Sequence, residues 1–89
     1  MTYEIDTYLE RAYIDMIKKL CDDSDKLCMI KIRDGSNTFS IDVITGIGCT
    51  TLIDHCLPHQ HVRMEAIFEA GKMIVRKRNM MIRAKSLLQ

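Results

Sequence analysis

Residues 72–85 hold six cations, Lys72, Arg76, Lys77, Arg78, Arg83 and Lys85, and no acid. On a helix, positions seven apart share a line, so Arg76 and Arg83 form one row, with Glu69 a further two turns back. Arg78 and Lys85 form a second row. Guanidinium groups offer a bidentate fork and ammonium groups a point charge, and both suit phosphates. The expected anion-binding set is Arg63, Arg76, Arg78, Arg83 and Lys85, with His59 and His61 at the helix start and Tyr8 as a ring that stacks on a base. The competing expectation is a solvated helix end whose cations favour the C-terminal dipole. A net charge of +1 excludes binding by bulk electrostatics, so any such site must be local.

A second cluster is His55-Cys56-Leu57-Pro58-His59-Gln60-His61. Imidazole and thiolate are zinc ligands, so His55, Cys56, His59 and His61 define a metal-stabilised alternative. The spacing argues against it. No C-x-x-C pair occurs, Cys21, Cys28 and Cys49 stand apart, and Pro58 interrupts the geometry that would align His55 with His59. No metal or other cofactor is therefore expected. A cysteine nucleophile needs a base that faces it, and the adjacent His55 and Cys56 do not face each other. Paired carboxylates and serine–base arrangements do not stand out, so the chain reads as a binder and not an enzyme. Gly46-Ile47-Gly48 follows a strand-like run, but without a third glycine or a Gly-Lys-Thr ending it reads as a bend, not a phosphate loop.

The elements that position these residues follow from periodicity. Residues 4–21 place Ile5, Leu9, Ala12, Tyr13, Met16, Ile17 and Leu20 at helical spacing. The helix should stop in Asp22-Asp23-Ser24-Asp25, where acids oppose the dipole. Two alternating runs, 28–33 and 38–43, flank Asp34-Gly35-Ser36-Asn37 and predict a β-hairpin. One face carries Cys28, Ile30 and Ile32, and the matching face carries Phe39, Ile41 and Val43. Residues 49–57 are open between a third strand and a short helix, with β-branched Thr and Ile favouring the strand. From Pro58 to Leu88 only Gly71 opposes a helix, at about 1 kcal/mol.

That helix carries three adjacent apolar columns: Ala66, Met73, Met80 and Leu87; Ile67, Ile74, Met81 and Leu88; Phe68, Val75 and Ile82. A helix packed on one sheet needs a stripe of about 100°, and three columns exceed it. A second copy of the helix would cover the excess. The expected homo-oligomer interface is Phe68, Val75 and Ile82, with Met73 and Met80.

At 89 residues the chain has room for one domain, and 47% apolar residues argue against disorder. No run approaches the roughly 20 apolar residues needed to cross a membrane. The opening Met1-Thr2-Tyr3-Glu4-Ile5-Asp6 is not a secretory leader, so a cytoplasmic setting with free thiols is expected.

Two resemblances add to this. The order α-β-β-(β)-α resembles the double-stranded-RNA-binding domain, although that family's lysine cluster at the start of the last helix is replaced here by His59-Gln60-His61-Val62-Arg63. Leu57-Pro58, then Arg63 and Ala66, then Ala70-Gly71-Lys72-Met73 resemble the helical hairpin of phage proteins that sequester cyclic oligonucleotide signals of anti-phage systems (CBASS and Thoeris). The Glu-Glu-Ala and Met-Trp signature of those sponges is absent. The resemblance implies an anti-defence role in a host cytoplasm, with Arg63 on phosphates and Tyr8 or Tyr13 on bases. The Met-, Ile- and Lys-rich character fits a phage or other viral accessory protein.

The sequence thus predicts an α+β fold: an N-terminal helix, a β-hairpin with a possible third strand, and a long C-terminal helix. The expected function is a self-associating protein that engages a protein partner through an apolar helix face. The alternatives are binding of nucleotide or nucleic-acid phosphates, and a metal-stabilised module.

Overall fold

The structure, a computed structural model, describes residues 2–54 and 61–88, and the side chains of 10–53 and 61–88. Helix α1 spans Thr2–Asp22, followed by strands β1 (Met29–Asp34), β2 (Phe39–Thr45) and β3 (Gly48–Asp54), then helix α2 (His61–Leu88). The strands form one antiparallel sheet in the order β1-β2-β3. The fold is α+β, and residues 48–54 are the third strand, not a helix.

The turns explain that outcome. Between β1 and β2 the Gly35 N–H donates to the Thr38 carbonyl at 2.8 Å. Between β2 and β3, Thr45 pairs with Gly48, leaving only Gly46-Ile47 as the loop. Gly48 holds φ at +147°, which side-chain-bearing residues rarely adopt. So tight a turn returns the chain directly along β2, and Thr50, Thr51 and Ile53 pair as β-branched residues should.

Phe39, Ile41 and Val43 point to one side of β2 and are fully buried. There they meet Ile17 and Cys21 of α1, Met64, Ile67 and Val75 of α2, and Leu52 of β3. Both helices therefore cover one face of the sheet. Neither helix covers the other face, with Asp42 at its centre. There the Thr51 hydroxyl donates to Asp42 Oδ1 at 2.7 Å and Arg33 Nη2 donates to the same oxygen at 3.2 Å. The hydroxyl first and the guanidinium next hold this carboxyl below its ordinary range.

Helix α1 turns inward at Tyr13, Ile14, Ile17, Leu20 and Cys21, leaving Ala12 and Met16 exposed, so its buried face is rotated from the expected one. Its end is tied down by Ser24, which is buried. The Ser24 hydroxyl donates to the Lys26 carbonyl at 2.6 Å and accepts from the Gly46 N–H at 2.9 Å. A side chain at Gly46 would meet Asp25 Oδ1 at 2.7 Å, so the glycine lets the two loops touch. Gly71 does the same between layers, for a Cβ there would lie 2.5 Å from Ile30 Cδ1 and 3.2 Å from Ile17 Cδ1. The glycine that interrupts α2 marks the line along which the helix presses on β1 and α1.

Candidate functional site

Helix α2 rises about 1.5 Å per residue, so its 28 residues run roughly 42 Å along a body 49 Å in longest extent. It has two apolar faces. The inner one is His61, Met64, Ile67, Phe68, Gly71, Ile74 and Val75, all buried or half-buried. The outer one is the seven-residue column Ala66, Met73, Met80 and Leu87, all exposed, with Met73 at 71% and Met80 at 62%. This corrects part of the expected oligomer interface. Val75 is only 7% exposed and belongs to the chain's own core, and Phe68 packs against that core. Ile82 is half-buried and faces the end of α1. The surplus lies in the Met73–Met80 column.

The two cation rows part company. Arg78 and Lys85 line a cleft of about 420 Å³ with Asp22, Asp23 and Asp25, so acids face them. Arg78 Nη2 also donates to the Ser24 carbonyl at 2.8 Å, fixing the helix to the end of α1. Arg76 and Arg83 instead line a groove of about 340 Å³ between α2 and β1, together with Lys72. Met29, Ile30, Val75 and Met80 supply its apolar surface, and none of its lining residues is acidic. Lys72 has its ammonium 2.8 Å from Glu69 Oε1 and 5.0 Å from the centre of the Phe68 ring.

At one end of the groove Asn79 grips the sheet. Its Oδ1 accepts from the Cys28 N–H at 2.7 Å, and its Nδ2 donates to the Cys28 carbonyl at 3.0 Å. The side-chain amide thus pairs with both main-chain groups of Cys28 much as a residue of a neighbouring strand would. Lys72, Asn79 and Ser24 lie outside the site residues expected from sequence. Lys72 was the first member of the basic run, and its three- to four-residue spacing to Arg76 was the available signal. Asn79 and Ser24 carry no such signal, because their partners are main-chain groups 51 and 22 residues away.

His61 opens α2, buried, with Nδ1 2.7 Å from Asp34 Oδ1 and its ring edge-on to Phe39 at 5.5 Å. It clamps the start of the helix to the first hairpin and lies apart from the groove. Of the metal-stabilised set, His55, Cys56 and His59 lie outside the described residues, as do Leu57 and Pro58. No group of three potential metal ligands occurs among the described residues. Tyr8 lies on α1, its side chain also outside the description. Arg63 is half-exposed in the first turn of α2, remote in sequence from the groove cations. The Gly46-Ile47 amides are already used, by Ser24 and Thr45 hydroxyls, which fits a structural bend.

Cys21 and Cys28 are buried neighbours. Burial pushes the Cys21 thiol up to about 12, and the Cys28 thiol beside it adds to the shift. The folded value lies above the unfolded one, so this contribution to stability is complete below about pH 9 and is lost as pH rises toward 12. Denaturant midpoints should fall through that alkaline range, and Cys21→Val should flatten the decline. An unchanged slope in the variant would remove Cys21 as its source.

No helix among the described residues is long and apolar enough to cross a membrane. Comparisons with protein-family profiles, curated proteins and solved structures found no match to this chain.

Proposed function

We propose that this protein is a non-catalytic interaction module that self-associates through the outer stripe of α2 and engages a partner beside it. The observation that carries the reading is the exposed column Ala66, Met73, Met80 and Leu87, opposite a face already filled by the protein's own core. Scattered exposed apolar residues are ordinary, but aligned ones at heptad spacing along a single helix are what a second helix packs against. Covering a methionine or leucine fully is worth about 1.5–3 kcal/mol, so a few such side chains from each copy offset the cost of association. Sedimentation equilibrium tests it. The chain weighs 10.3 kDa, and a multiple of that mass is expected at tens of micromolar (roughly 10–100 μM). A single-chain mass throughout would remove the reading.

The groove supports a second reading, recognition of an anion. Arg76 and Arg83 line it without an acid among the lining residues, beside Lys72, whose ammonium Glu69 holds at 2.8 Å. Phosphates of a nucleotide or nucleic acid are one such anion, and their binding would weaken steeply with salt. Arg78 and Lys85 contribute little to it, because Asp22, Asp23 and Asp25 face them.

A further inference from the structure

We infer that the free edge of β1, with the groove beside it, takes an extended acidic segment of a partner protein as a fourth strand. The inference rests on the reading of the chain as an interaction module, but uses a different surface from the self-association stripe. Met80 alone belongs to both.

Strand β1 is at the edge of the sheet, paired on one side only. Main-chain groups of a strand alternate in direction, so residues of one parity bond β2 and those of the other turn outward. Cys28 turns its N–H and C=O outward, where the Asn79 amide satisfies both. Continuing the pleat, Ile30 and Ile32 present the same pair of groups along the same edge. Among the described residues nothing bonds to them there. The edge is thus already paired in strand-like fashion at its first position and open at the next two.

Charge selects what fits. Lys72, Arg76 and Arg83 stand on the α2 side of this edge. Lys31 stands on the opposite face of β1, beside Arg33, whose guanidinium holds Asp42 at 3.2 Å. Side chains of an incoming strand alternate between the two faces and would meet cations on both. Between those cations, Met29, Ile30, Val75 and Met80 give apolar contact. Paired acidic and paired apolar residues in turn, which put both types on each face, match this pattern.

Two other occupants fit less well. A phosphodiester chain brings acceptors but no donors, so it would leave the outward carbonyls of Ile30 and Ile32 unpaired, whereas a peptide satisfies both kinds of group. A second copy pairing antiparallel through its own β1 would set like faces side by side, Lys31 and Arg33 against their counterparts and Lys72, Arg76 and Arg83 against theirs. Like charges oppose it, and lysine on an edge strand is a common guard against such pairing.

The test uses the full chain and a fluorescent peptide of Glu-Glu-Val-Val repeats, which sets Glu and Val on both faces of the strand. Saturable binding below about 1 mM is expected. N-methylation of every residue, which removes the donors on both edges of the peptide but keeps the charge, should weaken binding about 10-fold or more. Amide exchange at Ile30 and Ile32 should slow on binding, and the Arg76→Glu, Arg83→Glu variant should bind at least about 10-fold more weakly with its melting temperature kept. Equal affinity for the N-methylated peptide, unchanged exchange at Ile30 and Ile32, or no saturation would each overturn the proposal. So would oligo-dT binding that outcompetes the peptide and leaves exchange unaltered, which points to a phosphate groove. Oligomer mass, measured on the same samples, reports separately on the α2 stripe.

Discussion

Glutamate at both Met73 and Met80 is expected to leave a folded, single-chain protein at the concentrations where the proposed self-association of the native chain is sought. Both side chains are largely exposed within one chain, so neither substitution opens a cavity. Glutamate is also a good helix former. Met73→Glu places a carboxylate one turn before Lys77, and Met80→Glu places one a turn after Arg76, pairs that favour the helix by a few tenths of a kcal/mol. In an assembled state the same carboxylates would be buried without partners. Loss of apolar contact together with that desolvation should weaken association by at least about 100-fold, or roughly 3 kcal/mol. Phe68→Ala and Val75→Ala make the contrast. Those side chains pack inward, so their removal should lower the melting temperature and leave the oligomer's composition alone.

Phe39→Ala should be the most damaging substitution in the fold. The ring is fully buried at the start of the central strand, against the buried ring of His61. Truncation of a core phenylalanine costs about 3–5 kcal/mol. A chain of this length has a total stability of roughly 4–13 kcal/mol, so the loss is a large share of what holds it. The start of α2 should loosen with it, because His61 packs on that ring. Equilibrium denaturation would report the change, and a loss under about 1 kcal/mol would mean that Phe39 is not the keystone its burial implies.

Much of this architecture was legible. The alternation of 38–43 and the Asp34-Gly35-Ser36-Asn37 punctuation fixed the first hairpin, because period-two burial and turn chemistry are local properties. Residues 49–57 are ambiguous in sequence, since a short apolar run with two threonines fits either element, and 49–54 take the strand. The two-residue Gly46-Ile47 loop resolves it by leaving no length for anything but a returning strand.

The faces of α2 were harder to read. Three adjacent columns at seven-residue spacing announce a helix with too much apolar surface, but they do not say which column turns inward. Gly71 was the available clue, because a glycine inside a helix often marks close approach, and it lies among Ile67, Phe68 and Val75. The separation of Arg76 and Arg83 from Arg78 and Lys85 was visible as two rows. What those rows face depends on where Asp22–Asp25 comes to rest, a contact some 55 residues distant in sequence that no local pattern encodes. Asn79 illustrates the same limit. It looks like any polar residue on a helix until folding brings the main-chain groups of Cys28 to its side chain.

Methionine oxidation offers the most direct probe of whether the outward column of α2 is covered in solution. Within one chain Met73, Met80 and Met29 are all accessible and Met64 is buried, so peroxide should oxidise the first three and spare the last. At high protein concentration Met73 should become protected and regain reactivity on dilution, while Met64 stays protected throughout. Oxidation of Met73 as rapid in concentrated as in dilute protein would show that nothing covers the column.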